Sequence, residues 1–174
     1  MSCPITLNGI ALDCKGMGGV KNIWIADRAD VEEITDTAGE ITAIAPTNLF
    51  VGKLYKTRKQ VAMMESTVQN DEQAGTSYIE TTLTASFAKM DKTKRLEIEA
   101  LRLGDVVALV EDQNGEYWYL GYDNPVTLQE GSGTTGQAYA DSNSYSITLI
   151  DMSREMPLNV DETIIDTLTV APTT

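Results

Sequence analysis

The sequence predicts a mainly β fold, a β-sandwich or barrel with one flanking α-helix and a long projecting β-hairpin. Three observations support this prediction. Leu54 to Lys89 holds two extended segments around a polar loop, Lys92 to Leu103 is the one clear helical pattern, and Asn114-Gly115 joins two short apolar runs. The chain of 174 residues has the length of one ordinary domain, so we expect a single domain over residues 1–174.

The chain is strongly acidic, which limits the partners that it can attract. Lys and Arg total 13 against 26 Asp and Glu, a formal net charge of −13. This balance opposes binding of nucleic acid through its phosphates, but it suits a surface past which DNA must slide without sticking. Acidity also keeps an abundant protein soluble, and that explanation stays open.

Nothing in the sequence predicts export or a membrane anchor. No run of about 18 or more apolar residues occurs. Met1 to Leu12 lacks the basic end and apolar stretch of a secretory signal. We therefore expect a soluble protein made in the cytoplasm.

The first elements are short. Val20 to Ala26 follows a glycine cluster and carries consecutive apolar residues, which predicts an early strand. Asp30 to Thr37 is predicted to form one helical turn, and Glu40 to Ala45 a second short strand that ends at Pro46.

The long hairpin is the most informative part of the sequence, with two arms of about 14 residues around the loop Asn70 to Gly75. Apolar and polar residues alternate along the second arm with a period of two, which predicts one buried face, called the dry face, and one solvent-exposed face, called the wet face. The core and assembly candidates on the dry face are Ile79, Leu83 and Phe87, with Thr81 and Ala85 beside them. The wet face holds Glu80, Thr82, Thr84 and Ser86. Such arms exceed the usual strand length, so part of the hairpin should project and contact a neighbour.

The predicted helix runs from Lys92 to Leu103, with Asp91 as its N-cap and Gly104 as its C-cap. Its apolar stripe is predicted to comprise Leu96, Ala100, Leu101 and Leu103. Lys92, Lys94 and Arg95 lie in the first turn, where the helix dipole disfavours them. A solvated face explains these charges, and so does contact with acidic partners.

The chain beyond Gly104 is predicted to be mostly strand and loop. Asn114-Gly115 is predicted to form a type I′ turn between two strands. Gly131 to Gly136 is predicted to be a surface loop, and Tyr145 to Ile150 a strand. Ile164 to Val170 is predicted to be a last edge strand or part of a C-terminal arm within residues 151–174.

The residues predict neither an enzyme nor a cofactor or metal site. The chain has no histidine, and its carboxylate pairs, Glu32-Glu33, Asp71-Glu72 and Glu111-Asp112, are predicted to be solvated. Asp141 to Ser144 could offer oxygen ligands to calcium, but a β-turn fits this run better. Cys3 and Cys14 are either two reduced thiols or one disulfide. Tyr117 to Tyr119 cannot form one flat sugar-binding platform, because successive strand residues point to opposite faces.

The predicted order of strands, long hairpin, single helix, tight hairpin and final strand resembles the tail-tube fold. This fold is shared by long-tailed phages, contractile injection tubes and the tube protein of type VI secretion. Three short sequence segments also resemble structural proteins of phages that infect gut Bacteroidetes: Lys21 to Asp27, Asn114 to Gly121 and Asp141 to Leu149.

The resemblance implies a virion structural protein that assembles with itself and with other tail or neck proteins. In that family, six subunits form a ring whose inner wall is a continuous β-barrel, and loops bridge stacked rings. Lys53 to Lys89 then looks like the lumen-facing hairpin, with its wet face lining a lumen through which DNA passes without specific binding. The candidate inter-ring loop comprises Asn70, Asp71, Glu72 and Gln73, within Asn70 to Gly75.

Two other classes of function remain open at this point. A neck or tail-terminator ring would show the same features. A receptor- or carbohydrate-binding module would use the aromatic residues Tyr117 to Tyr119 and the loop Gly131 to Gly136.

Overall fold

The computed structural model describes residues 10, 16–58 and 60–169, which form two packed β-sheets and two α-helices. Sheet A has seven strands in the order β2-β3-β11-β8-β7-β1-β4, and sheet B has four in the order β5-β6-β10-β9. The strands are β1 Val20–Asp27, β2 Glu33–Thr37, β3 Glu40–Ala45, β4 Leu54–Tyr55, β5 Ala62–Asp71, β6 Thr76–Ala88, β7 Val106–Asp112, β8 Tyr117–Leu120, β9 Thr127–Thr134, β10 Ser144–Ser153 and β11 Leu158–Val160. The helices are α1 Lys92–Leu101 and α2 Glu162–Thr169. The predicted fold class is confirmed, and α2 is an additional helix.

The central strands of sheet A are apolar on both faces because both faces are covered. Along β7, Ala108 and Val110 point towards sheet B, whereas Val107 and Leu109 point to the opposite side. All four side chains are fully buried. A continuous apolar run of this kind is typical of a strand between two packed layers.

The main core lies between the two sheets. Ile23 and Ile25 of sheet A pack with Leu83, Ala85 and other inward side chains of sheet B. The predicted alternation of β6 is confirmed, since buried residues occur at every second position from Thr81 to Phe87. Leu83 is 1% exposed, and Ile79 is only half-buried because it lies near the end of the sandwich.

The second core covers the other face of sheet A. Ile165 and Leu168 of α2 pack there, together with Phe50 from the loop between β3 and β4. The ring of Phe50 meets that of Tyr119 edge to face, with centroids 6.5 Å apart. The prediction of a last strand or arm at Ile164 to Val170 is therefore wrong for the described part of this segment, which is helical.

Helix α1 closes the end of the sandwich that lies opposite the turn of the long hairpin. Its predicted N-cap is confirmed, because the Asp91 side chain accepts a hydrogen bond from the Lys94 backbone N–H at 2.9 Å. The helix ends at Leu101, two residues earlier than predicted. The predicted apolar stripe is largely wrong. Leu101 is buried and Ile98 packs on the core, but Leu96 and Leu103 are 47% and 80% exposed.

Two turns differ from prediction. The segment predicted to be a helical turn is mostly strand β2, which pairs with β3 around Ala38 and Gly39. Both turn residues have positive φ, 56° and 88°, so the type I′ geometry occurs here. The predicted hairpin at Asn114-Gly115 exists, but only Gly115 has positive φ, and the Asp112 N–H bonds to the Glu116 carbonyl across three residues. The turn is therefore not type I′.

The prediction of a loop at Gly131 to Gly136 is also wrong for the first four of its six residues. Gly131 to Thr134 belong to β9 and pair with β10, and the connecting loop begins only after them. A Cβ on Gly133 would come within 2.7 Å of the Tyr145 ring. The glycine is required by this close approach rather than by a turn.

Replacing Leu83 with Ala should lower the free energy of unfolding by about 2–5 kcal/mol, because it leaves a cavity in the main core. Replacing Thr84 with Ala on the other face of the same strand should change it by no more than about 0.5 kcal/mol. Urea unfolding monitored by fluorescence measures both. Equal losses in the two variants would contradict the assigned faces of β6.

Candidate functional site

The face of sheet B that points away from sheet A, called the outer face here, carries the predicted wet residues. The structure places Glu80, Thr82, Thr84 and Ser86 on this face, all half-buried among their neighbours. Neighbouring hydroxyl groups hydrogen-bond, as Ser146 Oγ does to Ser86 Oγ at 3.3 Å. The wet side of the hairpin is thus part of a larger polar surface.

The other three strands extend this surface with similar residues. Strand pairing places hydroxyl and acidic side chains beside those of β6, and these are Glu65, Thr67, Thr127, Glu130, Ser132, Thr134, Ser146 and Thr148. Among the described residues, none of the side chains that the pairing places on this face is basic. The face offers hydroxyl groups and negative charge, and it also carries the apolar side chains of Met63, Ile150 and Met152, but it has no cationic group among the described residues to attract a phosphate. The contribution of β10 to this face was not predicted, although Ser146 and Thr148 alternate with Tyr145, Ile147 and Leu149 in the sequence.

The edge strands of sheet B each have one strand partner within the described residues. β5 pairs with β6, and β9 pairs with β10. Every neighbouring pair in the sheet is antiparallel, so β5 and β9 run in opposite directions. An unpaired edge is a ready template for another strand, and proteins usually protect such edges.

The hairpin of β5 and β6 projects beyond the rest of the sheet. β10 ends with Ser153 opposite Ile79, so residues 69–78 pair only within the hairpin. The predicted loop is shorter than expected, because Asn70 and Asp71 belong to β5. The Asp71 carboxylate accepts hydrogen bonds from the N–H groups of Gln73 and Ala74 at 2.9 and 3.0 Å. We call residues 69–78 the tip.

A buried polar row separates the apolar core from the tip. Ser66, Thr81 and Asp151 lie side by side on the inner face of sheet B. The hydroxyl groups of Ser66 and Thr81 are 2.8 Å apart, and the Gly121 N–H donates to Asp151 Oδ2 at 3.1 Å. Asp151 Oδ1 has no partner among the described residues. Burial raises the pKa of the Asp151 carboxyl, although the bond from Gly121 opposes this effect.

The aromatic residues at 117–119 and the carboxylate of Glu111, which the sequence analysis considered as possible site residues, have structural roles. Trp118 packs on one core, whereas Tyr117 and Tyr119 pack on the other, so the three rings do not form one surface. Glu111 is not solvated as predicted. It is 4% exposed, and it accepts hydrogen bonds from Lys21 Nζ and from Asn22 Nδ2. This buried carboxylate is satisfied and structural.

Asp141 has a local role as well. Its Oδ2 atom accepts hydrogen bonds from the N–H groups of Gln137 and Ala138, at 2.8 and 2.7 Å, and so closes the loop after β9. In the described part of the chain, no three acidic or cysteine side chains are arranged to hold a metal ion. Neither described helix is long and apolar enough to cross a membrane. Cys3 and Cys14 lie outside the described residues.

Comparison with known proteins identifies no relative: no protein family, curated protein or solved structure matches this chain. The main surface features of the described residues are the outer face of sheet B, the two edges of that sheet and the projecting tip.

Replacing Asp151 with Asn should raise the free energy of unfolding at neutral pH, because the buried charge is removed while an oxygen remains for the Gly121 N–H. The direction of this change in the free energy of unfolding follows from the raised pKa of the Asp151 carboxyl. The folded wild-type protein binds this proton more tightly than the unfolded chain, so its stability falls as pH rises through the raised pKa.

Urea unfolding between about pH 4 and about pH 8 tests this expectation. The advantage of the Asp151→Asn variant should shrink towards the acid end, where Asp151 is neutral in the wild-type protein as well. Asp166→Asn, at an exposed position of α2, is the control. A wild-type advantage that grows with pH would show that the Asp151 charge is stabilised in the fold.

Proposed function

We propose that this chain is the subunit of a phage tail tube or a closely related injection tube. Copies would close into rings through sheet B and stack into a virion tail made in the cytoplasm of the bacterial host. The observation that carries the proposal is the geometry of the two sheet edges, each with one strand partner among the described residues. The protein's role is then structural rather than enzymatic.

The edges are compatible with head-to-tail closure. Because β5 and β9 are antiparallel within one copy, β9 of one copy can continue antiparallel onto β5 of the next. Repeated around a circle, this contact leaves no free edge. Six copies would join about 24 strands into a barrel roughly 115 Å around, which leaves a lumen of a few nanometres.

The outer face supports the assignment of sheet B to the lumen wall. Sheet A lies on its other side, so closure through β5 and β9 lets the face with Thr82 and Thr84 line the channel. The net charge of −13 and the absence of basic residues from the described outer face would keep DNA phosphates away from the wall. DNA could then pass without specific binding.

The tip favours stacked rings over a single neck or terminator ring. It extends the hairpin beyond the end of β10, where neither sheet covers it. Val68 and Tyr78, at the base of the tip, are 53% and 40% exposed. Apolar groups in this position favour a further contact along the direction of the strands.

Negative-stain electron microscopy over a range of protein concentrations tests the proposal. We expect hollow rings at low concentration and tubes at high concentration, because edge pairing and stacking are both driven by mass action. Analytical ultracentrifugation of the same samples gives the mass of the ring. Compact single particles under every condition would rule out the tube and favour a monomeric binding module.

A lysine in the outer face should convert a neutral channel wall into one that binds DNA. Rings of the Thr84→Lys variant would carry about six clustered cations and bind a short duplex at least about tenfold more tightly than wild-type rings at low salt. Fluorescence anisotropy measures this affinity, which should fall steeply as salt is added.

The matched control is Thr47→Lys, an exposed position in the loop between β3 and β4 on the far side of sheet A. It adds the same charge outside the proposed lumen, where the cations are spread around the circumference. Equal DNA affinity in the two lysine variants would contradict the assignment of the outer face to the lumen.

A further inference from the structure

Charge is distributed unevenly along the length of the hairpin. Residues 62–88, which form β5, β6 and the tip, contain four acidic residues and no basic ones. Two of the acidic residues, Asp71 and Glu72, lie in the exposed tip. The tip of each copy is therefore a negative projection.

The opposite end of the hairpin is basic. Residues 53–58 lead into β5, and residues 89–102 follow β6 and form α1, so both segments lie at the end away from the tip. Together they contain eight basic and three acidic residues, in a chain that is otherwise strongly acidic. We call these two segments the basic end.

The two segments meet at one surface. Tyr55 Oη donates a hydrogen bond to Glu97 Oε2 at 3.0 Å, which joins β4 to α1. Between these elements lies an open groove of about 590 Å³, lined in part by Lys53, Lys56 and Lys94. The exposed apolar side chains of Leu54 and Leu96 lie on the same two elements.

Most of the basic side chains at the basic end form no ion pair with another described residue. Lys53, Lys94 and Arg95 form ion pairs with Asp30, Asp91 and Glu99. Among the described residues, those at the basic end that make no ion pair are Lys56, Arg58, Lys89, Lys92 and Arg102. Lys92 lies in the first turn of α1, where a positive charge destabilises the helix. A cluster of unpaired like charges is unfavourable in the isolated chain and becomes favourable when a negative surface covers it.

We propose that the basic end binds the acidic tip of a second copy of this chain. The tip cannot reach the basic end of its own copy, because the 13 residues of β6 hold the two ends roughly 43 Å apart. A contact between copies is heterologous, and repetition along the strand direction gives a stack with one polarity. The exposed Val68 and Tyr78 add apolar contact area near the tip.

This inference rests on the proposed tube and specifies how its rings recognise one another. Head-to-tail stacking brings a negative tip against a positive groove. Head-to-head stacking would bring tips against tips and basic ends against basic ends, and like charges in contact are strongly disfavoured. The charge pattern would therefore give the tube its direction.

Charge reversal tests the contact in the full-length protein. Glu72→Lys in the tip and Lys92→Glu at the basic end should each reduce the fraction of stacked rings about tenfold at low salt, while single rings still form. An equimolar mixture of rings of the two single variants should recover stacking in alternating order, because between unlike rings the unchanged tip meets the unchanged basic end and the reversed tip meets the reversed basic end. The double variant Glu72→Lys/Lys92→Glu should recover stacking, because opposite charges again meet.

Glu40→Lys, at an exposed position of β3 in sheet A, is the matched control for Glu72→Lys, since it changes the net charge by the same amount away from the tip and the basic end. It should leave stacking unchanged. Rings that stack equally well in every variant would overturn the inference and leave the proposed ring intact.

Cross-linking tests the same contact without requiring complete rings. Cys3 and Cys14 are replaced by Ser, and Gln73→Cys and Lys92→Cys are introduced into separate chains. A short bismaleimide should join the two variants in a mixture at low salt, with at least about fivefold less product at high salt, because salt screens the contact. It should give little product when only the Gln73→Cys chain is present.

The outcomes separate the inference from the proposed function. Mixed product without visible rings supports the head-to-tail contact and argues against the closed tube. Rings without mixed product support the tube and overturn the contact proposed here. Product formed equally by two Gln73→Cys chains would show that tips meet tips, which also overturns it.

Discussion

The structure depends on the pairing of β6 along its length, with β5 on one side and β10 on the other. Its inward side chains fill the main core, so its outward side chains have no core to join and are polar. From Leu83 towards its N-terminus, β6 contributes Thr81 to the polar row and then forms one side of the tip. A shift of one residue in register would exchange the core with the outer face, which is why the pairing is strongly specified.

The sequence predicts this part of the fold because the signal is local. Alternation along β6 and the N-cap at Asp91 each involve residues only a few positions apart. Helix α2 was missed because its β-branched residues favour a strand, while packing of Ile165 and Leu168 on sheet A favours a helix. The local signal was Asp161, whose carboxylate accepts a hydrogen bond from the Thr163 N–H at 2.8 Å.

Part of the candidate site could not be predicted, since it depends on contacts between distant segments. Glycines at 131 and 133 indicate a loop when read in sequence. In the fold, Gly131 lies against Ile98 of α1, and Gly133 makes room for the Tyr145 ring. Ser132 lies between these two glycines and Glu130 lies just before them, and both side chains belong to the outer face. Because the strand was not predicted, this part of the outer face was not predicted either. The basic end likewise forms only when β4 and α1 come together.

Within the stretch that pairs with β10, strand β9 contains one extra residue. Glu130 lies opposite Thr148 and Leu128 opposite Leu149, so Gln129 between them has no counterpart in β10. Such a bulge bends a strand and increases its twist. Curvature is therefore present at the edge of each free chain before a neighbour joins it. In the proposed ring, the circumference would follow from this bend, and a straighter β9 would require more copies to complete the circle.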